Sequence, residues 1–136
     1  MQKVKKPVGE WKAELKPRYN SLGSVYCRAI NDNVLFNHYG WRHLTRKSSG
    51  QRRIVADAQM RLGLFPWVPK VLKHCRSCAE ITTRTQVYSG TEAQVMYFEL
   101  HHVFKSANRN VHVIVVLRKI GNGSVHYWTV RYGKKI

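Results

Sequence analysis

The chain is predicted to fold as an α+β protein, with N-terminal helices packed on one face of a four-stranded antiparallel β-sheet. Four runs over residues 79–132 carry strand character: Ala79–Val87, Ala93–Phe104, Asn110–Ile120 and Ser124–Tyr132. They are separated by short turns rich in Gly, Ser and Asn, which favour hairpins between neighbours. Upstream, Ile54, Val55, Ala58 and Leu62 recur at helical spacing. At 136 residues with no repeat or linker, one core suffices. The expected organisation is a basic tail and short helix over 1–23, then a single α+β body over 24–136.

The elements follow in order. Met1–Pro7 is a basic tail, and Glu10–Tyr19 forms a short helix around Trp11 and Leu15. Ser24–Ile30 alternates Val25, Cys27 and Ala29, as a short strand or an extended lead-in would, and Asn31-Asp32-Asn33 turns the chain. His38–Leu44 begins a short helix or a tight loop. Gln51–Leu62 is a helix with Ser49 as its N-cap and Gly63 as its stop. Trp67–His74 is a further helical stretch, with Pro69 in its first turn, where proline is tolerated.

Strand parity then sorts the sheet into two faces. Met96, Phe98, Leu100 and Phe104 share the helix side with Val111, Val113, Val115 and Leu117, and Trp128 and Val130 join them. The open face is left with Arg84, Glu99, His101, Arg118, Tyr127, Thr129 and Arg131.

Charge narrows the partner. The sequence holds 24 Lys+Arg against 7 Asp+Glu, a formal +17, and such a field captures nucleic acid at high rates. The terminal lysines Lys3, Lys5, Lys6, Lys134 and Lys135 add non-specific attraction. No apolar run reaches the ~18 residues of a membrane span, and the N-terminus lacks the apolar stretch of a secretory signal. A cytoplasmic protein is expected, made there or delivered into the cytoplasm of a target cell. Cys27, Cys75 and Cys78 form no disulfide framework. His74-Cys75-Arg76-Ser77-Cys78 resembles half of a zinc site, without a matching second pair; no metal and no cofactor are expected.

Metal-free cleavage of RNA needs a group to activate the 2′-hydroxyl, an acid for the leaving 5′-oxygen, and cations for the phosphorane. His43 is the first candidate, because Arg42, Arg46 and Lys47 surround it in sequence and would contact phosphate. Nearby positive charge lowers its pKa, and a bound phosphate raises it again. His101, beside Glu99 on the open face, is the second. Thr129 and Arg131 are expected to meet Arg118 across the ladder, where a phosphate would bridge the two arginines. Tyr127 would stack a base, and Arg84 and Arg131 would extend the nucleic-acid contacts.

Three stretches carry a family likeness over residues 24–132. They are Val34-Leu35-Phe36 leading into Gly40-Trp41-Arg42-His43-Leu44; Arg61-Leu62-Gly63-Leu64-Phe65-Pro66 with Val68-Pro69-Lys70-Val71-Leu72; and the strand cores Val95–Leu100, Val111–Val116 and Tyr127–Val130. In these the chain resembles the barnase/EndoU/colicin/RelE-type nuclease superfamily, in particular its phage- and polymorphic-toxin-associated branches. The resemblance implies an RNase site built from a helix-borne histidine, a strand cation and a Ser/Thr near the last strand. Those roles fall on His43, Arg118 and Thr129, with Arg46 or Lys47 on phosphate. The resulting expectation is a metal-independent endoribonuclease toxin acting on RNA, tRNA among its candidate substrates, and countered by an acidic antitoxin or immunity protein. The rival expectations are a non-catalytic RNA- or DNA-binding module of a mobile element and a zinc-stabilised basic adaptor.

Overall fold

The computed structural model describes residues 6–105 and 107–133, and its first element is helix α1 (Val8–Leu22). It is longer than the predicted Glu10–Tyr19 and belongs to the main core, where it buries Leu15 and Tyr19, one turn apart. The Tyr19 ring sits 5.2–5.6 Å from those of Phe36, Trp41 and Phe65. Lys6, expected to act only through its charge, pairs with Glu14 at 2.6 Å and lies over the Trp11 ring. Lys3, Lys5, Lys134 and Lys135 lie outside the described residues.

Gly23, at φ 61, ends α1 and opens a hairpin of β1 (Ser24–Cys27) and β2 (Asp32–Leu35). The predicted turn falls between them, with Asn31 at φ 51. Helix α2 (His38–His43) follows, its first turn capped by the Asn37 side chain. Helix α3 (Val55–Leu64) starts later than the predicted Gln51, because residues 46–53 form a hydrogen-bonded loop instead. Ser49 therefore caps nothing; Ile54 precedes the helix without a side-chain cap. Gly63 does not stop α3 but lies against the Trp11 ring. A 3-10 turn (Phe65–Trp67) leads into α4 (Val68–His74), with Pro66 and Pro69 each in a first turn.

Strands β3 (Glu80–Tyr88), β4 (Thr91–Lys105), β5 (Asn110–Ile120) and β6 (His126–Tyr132) pair antiparallel in sequence order. The sheet does not stop there. It has six strands in the order β1-β2-β6-β5-β4-β3, and β2 joins β6 in parallel, with Leu35 opposite His126. The fold is α+β, but the sheet is six-stranded and mixed rather than four-stranded and antiparallel. Two four-residue strands carry too little alternation to reveal a partner about ninety residues away. Helices cover one face, where Leu62, Leu72, Leu100, Val113, Val115 and Leu117 are fully buried.

One irregularity in β6 decides what the site contains. Val116 faces Thr129 but Leu117 faces Tyr127, so Trp128 is an extra residue, a β-bulge. Inserting one residue into a period of two reverses the faces beyond it. Tyr127, predicted to stack a base on the open face, is fully buried among Tyr19, Phe36 and Phe65. Trp128, predicted to be core, turns the other way. The expected meeting of Arg118 with Thr129 and Arg131 does not occur: Arg118 faces His126, and Arg131 faces Ile114.

The Tyr127 hydroxyl is buried with no hydrogen-bond partner among the described residues, and burial pushes its pKa well up. An unsatisfied buried hydroxyl costs stability. Tyr127→Phe is therefore expected to raise the unfolding free energy by up to about 1 kcal/mol, read as a higher urea midpoint. A lowered midpoint would mean that the hydroxyl has a stabilising partner.

Candidate nucleic-acid cleft

Helix α2, the loop behind it and the ends of β3, β5 and β6 enclose a cleft of about 370 Å³. Four cations line it, Arg42, Arg46, Lys47 and Arg118, together with His43, Ser48, Ser49 and the rings of Tyr39, Tyr88 and Trp128. No acidic side chain is among the lining residues. Backbone bonds from Lys47 N–H to Gln51 O (2.8 Å), Gly50 N–H to Lys47 O (2.9 Å) and Arg53 N–H to Thr45 O (2.9 Å) hold the loop. Gly50, at φ 88, makes its turn, and the Arg46 guanidinium donates to the Gly50 carbonyl.

Trp128 organises the wall. The His43 ring lies 4.0 Å from the indole, and the Arg118 guanidinium lies 3.6 Å over it. Arg118 is almost completely buried, and its Nε–H donates to His126 Nε2 at 2.9 Å. That bond requires an unprotonated nitrogen on His126. Burial first, and then the Arg118 charge, hold the His126 pKa down to about 4.

His43, the last residue of α2, is 9% exposed. Its pKa is lowered to about 3, first by burial and then by Arg53, Arg61 and Arg118, with Asp57 opposing. Arg53 donates to the His43 carbonyl (2.9 Å) and reaches the ring, 3.1 Å from Nδ1. Asp57 receives Arg53 at 3.0 Å and Arg61 at 3.1 Å. Arg61 then donates to the Thr129 hydroxyl and, at 3.1 Å, to the Val130 carbonyl.

The structure thus brings His43, Arg118, Arg42, Arg46 and Lys47 together and places the other candidates elsewhere. Thr129 does not line the cleft; it is tied to His43 through Arg61, Asp57 and Arg53. Arg84 lies near the Tyr97 ring and is joined through Val95 to the cleft-lining Ile120. His101 is in a separate cluster: its Nε2 meets Glu99 at 2.7 Å, its Nδ1 meets His112 at 2.9 Å, and Arg131 donates to the same Glu99 oxygen. Its partner across the ladder is Ile114, four positions along β5 from Arg118, about 13 Å at a strand's rise per residue.

Sequence reasoning missed Arg53, Asp57 and Arg61, although their spacing of four was visible. It also missed Trp128 and His126, whose places depend on the bulge. Cys75 and Cys78 donate to backbone carbonyls, and no group of three or more possible metal ligands converges among the described residues. Among those residues no helix is long and apolar enough to cross a membrane.

The two neutral histidines make stability depend on pH. Their folded pKa values, about 3 and about 4, lie below the ordinary histidine value. As pH falls below about 6.5 the unfolded chain takes up protons that the folded chain refuses, so stability is complete above that point and is lost toward acid. A loss of several kcal/mol, on the order of one per pH unit per histidine, is expected between pH 6.5 and 4. Urea titrations at pH 7, 5.5 and 4.5 measure it; a flat profile contradicts it.

Comparison with family models, with curated proteins and with solved structures found no match for the chain.

Proposed function

We propose that the cleft binds RNA and cleaves it by metal-independent transesterification, in the manner of an endoribonuclease toxin. The observation that carries this reading is one acid-free cleft holding four cations, a histidine and aromatic rings. Arg42, Arg46, Lys47 and Arg118 offer charge and paired donors to phosphate oxygens. Tyr39, Tyr88 and the Trp128 edge offer surfaces for a base. The resemblance to the barnase/EndoU/colicin/RelE-type superfamily supports the same reading. RNA, including tRNA, is the substrate class, and an acidic antitoxin or immunity protein is the partner that would fill the cleft.

In the reaction the 2′-oxygen bonds to phosphorus as the bond from phosphorus to the 5′-oxygen breaks. Water takes the 2′-hydroxyl proton and supplies one to the 5′-oxygen, leaving a 2′,3′-cyclic phosphate and a 5′-hydroxyl. With its pKa near 3, His43 is a poor proton acceptor at neutral pH. Its contribution is a hydrogen bond to the phosphorane, whose charge the arginines also stabilise.

The test is incubation with total RNA in EDTA, followed by analysis of fragment ends. His43→Ala is expected to slow cleavage about 100-fold. His43→Gln, which keeps an N–H at similar reach, should retain more. Equal loss in both variants removes the donor role, and EDTA inhibition removes the metal-free route.

The depressed His43 pKa also favours a second reading, a binding module without catalysis. It predicts RNA binding that weakens steeply with salt and no strand scission by the wild type.

A further inference from the structure

We propose that the outer side of α4 and the far end of β4 form a second RNA-binding surface, a basic platform for single-stranded RNA remote from the cleft. It extends the RNA-binding reading and rests on it for the identity of the ligand. The separation follows from the register. Val95 of β4 faces Ile120, which lines the cleft, and Phe104 stands nine residues further along, about 30 Å at a strand's rise per residue.

Strand β3 begins at Glu80, opposite Glu99, so residues 100–105 of β4 have no partner in β3. There the side chains of α4 and β4 meet in a row of rings. Trp67 stands 4.5 Å from Phe104, Phe104 stands 4.6 Å from His102, and His102 lies 6.2 Å from His74 at 27°. His74, the last residue of α4, is exposed, so the row reaches solvent at a planar ring. Burial first, and then His74, lower the pKa of His102, which packs against Phe104 as a neutral ring.

Cations flank the row. The Lys70 ammonium lies 5.1 Å from the Trp67 ring centroid, and Lys73 and Arg76 are exposed beside it in sequence. Neither residues 67–78 nor residues 100–110 include an acid. Of the two acids at the border, Glu99 is held by His101 and Arg131, and Glu80 opens β3. Planar rings stack any base, and neighbouring cations hold phosphates. A single strand uses both, because its bases are free to leave their own stack. A duplex keeps its bases covered, and an acidic peptide would use the charge alone.

The test compares an RNA of about thirty nucleotides, long enough for both surfaces, with a tetranucleotide that spans only one. His74→Ala is expected to weaken binding of the long RNA about 10-fold, the loss of one stacked base. Lys70→Gln with Lys73→Gln should reduce the slope of log affinity against log salt by about 1.4, two phosphate contacts on a single strand. All three side chains are exposed, which keeps the variants folded. Cleavage of the tetranucleotide belongs to the cleft and should stay within about twofold of wild type in each variant. Lys12→Gln with Arg18→Gln removes the same charge from α1 and should move the salt slope far less. An equal effect from the α1 pair, or unchanged long-RNA binding by His74→Ala, overturns the platform. A wild type that binds long RNA through these residues but cuts neither RNA overturns the cleavage reading alone. A wild type that binds no RNA overturns both.

Discussion

Arg118→Ala is expected to lower RNA cleavage on the order of 10²- to 10³-fold, the cost of removing one preorganised donor from a developing oxyanion. Arg118 is the best placed of the lining cations, because it is buried, lies on Trp128 and is tied at Nε to His126. The bond to His126 uses Nε alone, so it does not require the terminal nitrogens, the pair that would meet an anion. Removing it also leaves His126, itself buried, without its donor, at a cost of about 1–3 kcal/mol. Arg118→Lys separates the two effects. Lysine keeps the charge but loses the planar stack and the Nε–H, so RNA binding should recover further than cleavage does. Cleavage rates and equilibrium binding of a short RNA, measured on both variants, give the answer. Wild-type cleavage by Arg118→Ala would remove this residue from the site.

Gly40→Ala is expected to destabilise the fold strongly. A Cβ there would stand 2.5 Å from both the Tyr127 ring and the Tyr127 carbonyl, and 2.8 Å from the Tyr19 hydroxyl. One obstacle is backbone and another is a fully buried ring, so neither can swing aside. A cost of about 1–3 kcal/mol or more follows, as for overpacking in a tight core. The damage extends beyond stability. Moving α2 away from β6 would lift His43 off Trp128, so cleavage should fall together with the urea midpoint. Gly9→Ala in α1 is the control, since nothing lies within 4 Å of its added methyl, and helix propensity favours the alanine. Equal midpoints for the two variants would show that α2 adapts.

Long alternating strands were legible in the sequence because period-two burial is written over many residues. β5 spans the predicted Asn110–Ile120, and β3 and β4 differ from prediction only at their ends. The bulge was not legible. Nothing in Tyr127-Trp128-Thr129-Val130 announces an extra residue, and a one-residue insertion moved Tyr127 into the core and Trp128 out of it. The β1–β2 hairpin read as a turn between short segments, but its parallel seat beside β6 depends on tertiary packing. The cationic cluster around His43 was readable as local sequence, and its three cations, Arg42, Arg46 and Lys47, do line one cleft with His43. His101 and Arg131 were grouped with it because parity gives a face but not a position along that face.

The walls of the cleft come from residues 39–50, Tyr88, the end of β5 and Trp128. One stretch, residues 39–50, supplies most of the lining, but the opposite wall is built by strands far along the chain, and Trp128 arrives with β6. The groove cannot close until Trp128 has taken its place in the sheet beside β5. A fragment that stops short of β6 would lack the indole on which both the His43 ring and the Arg118 guanidinium rest.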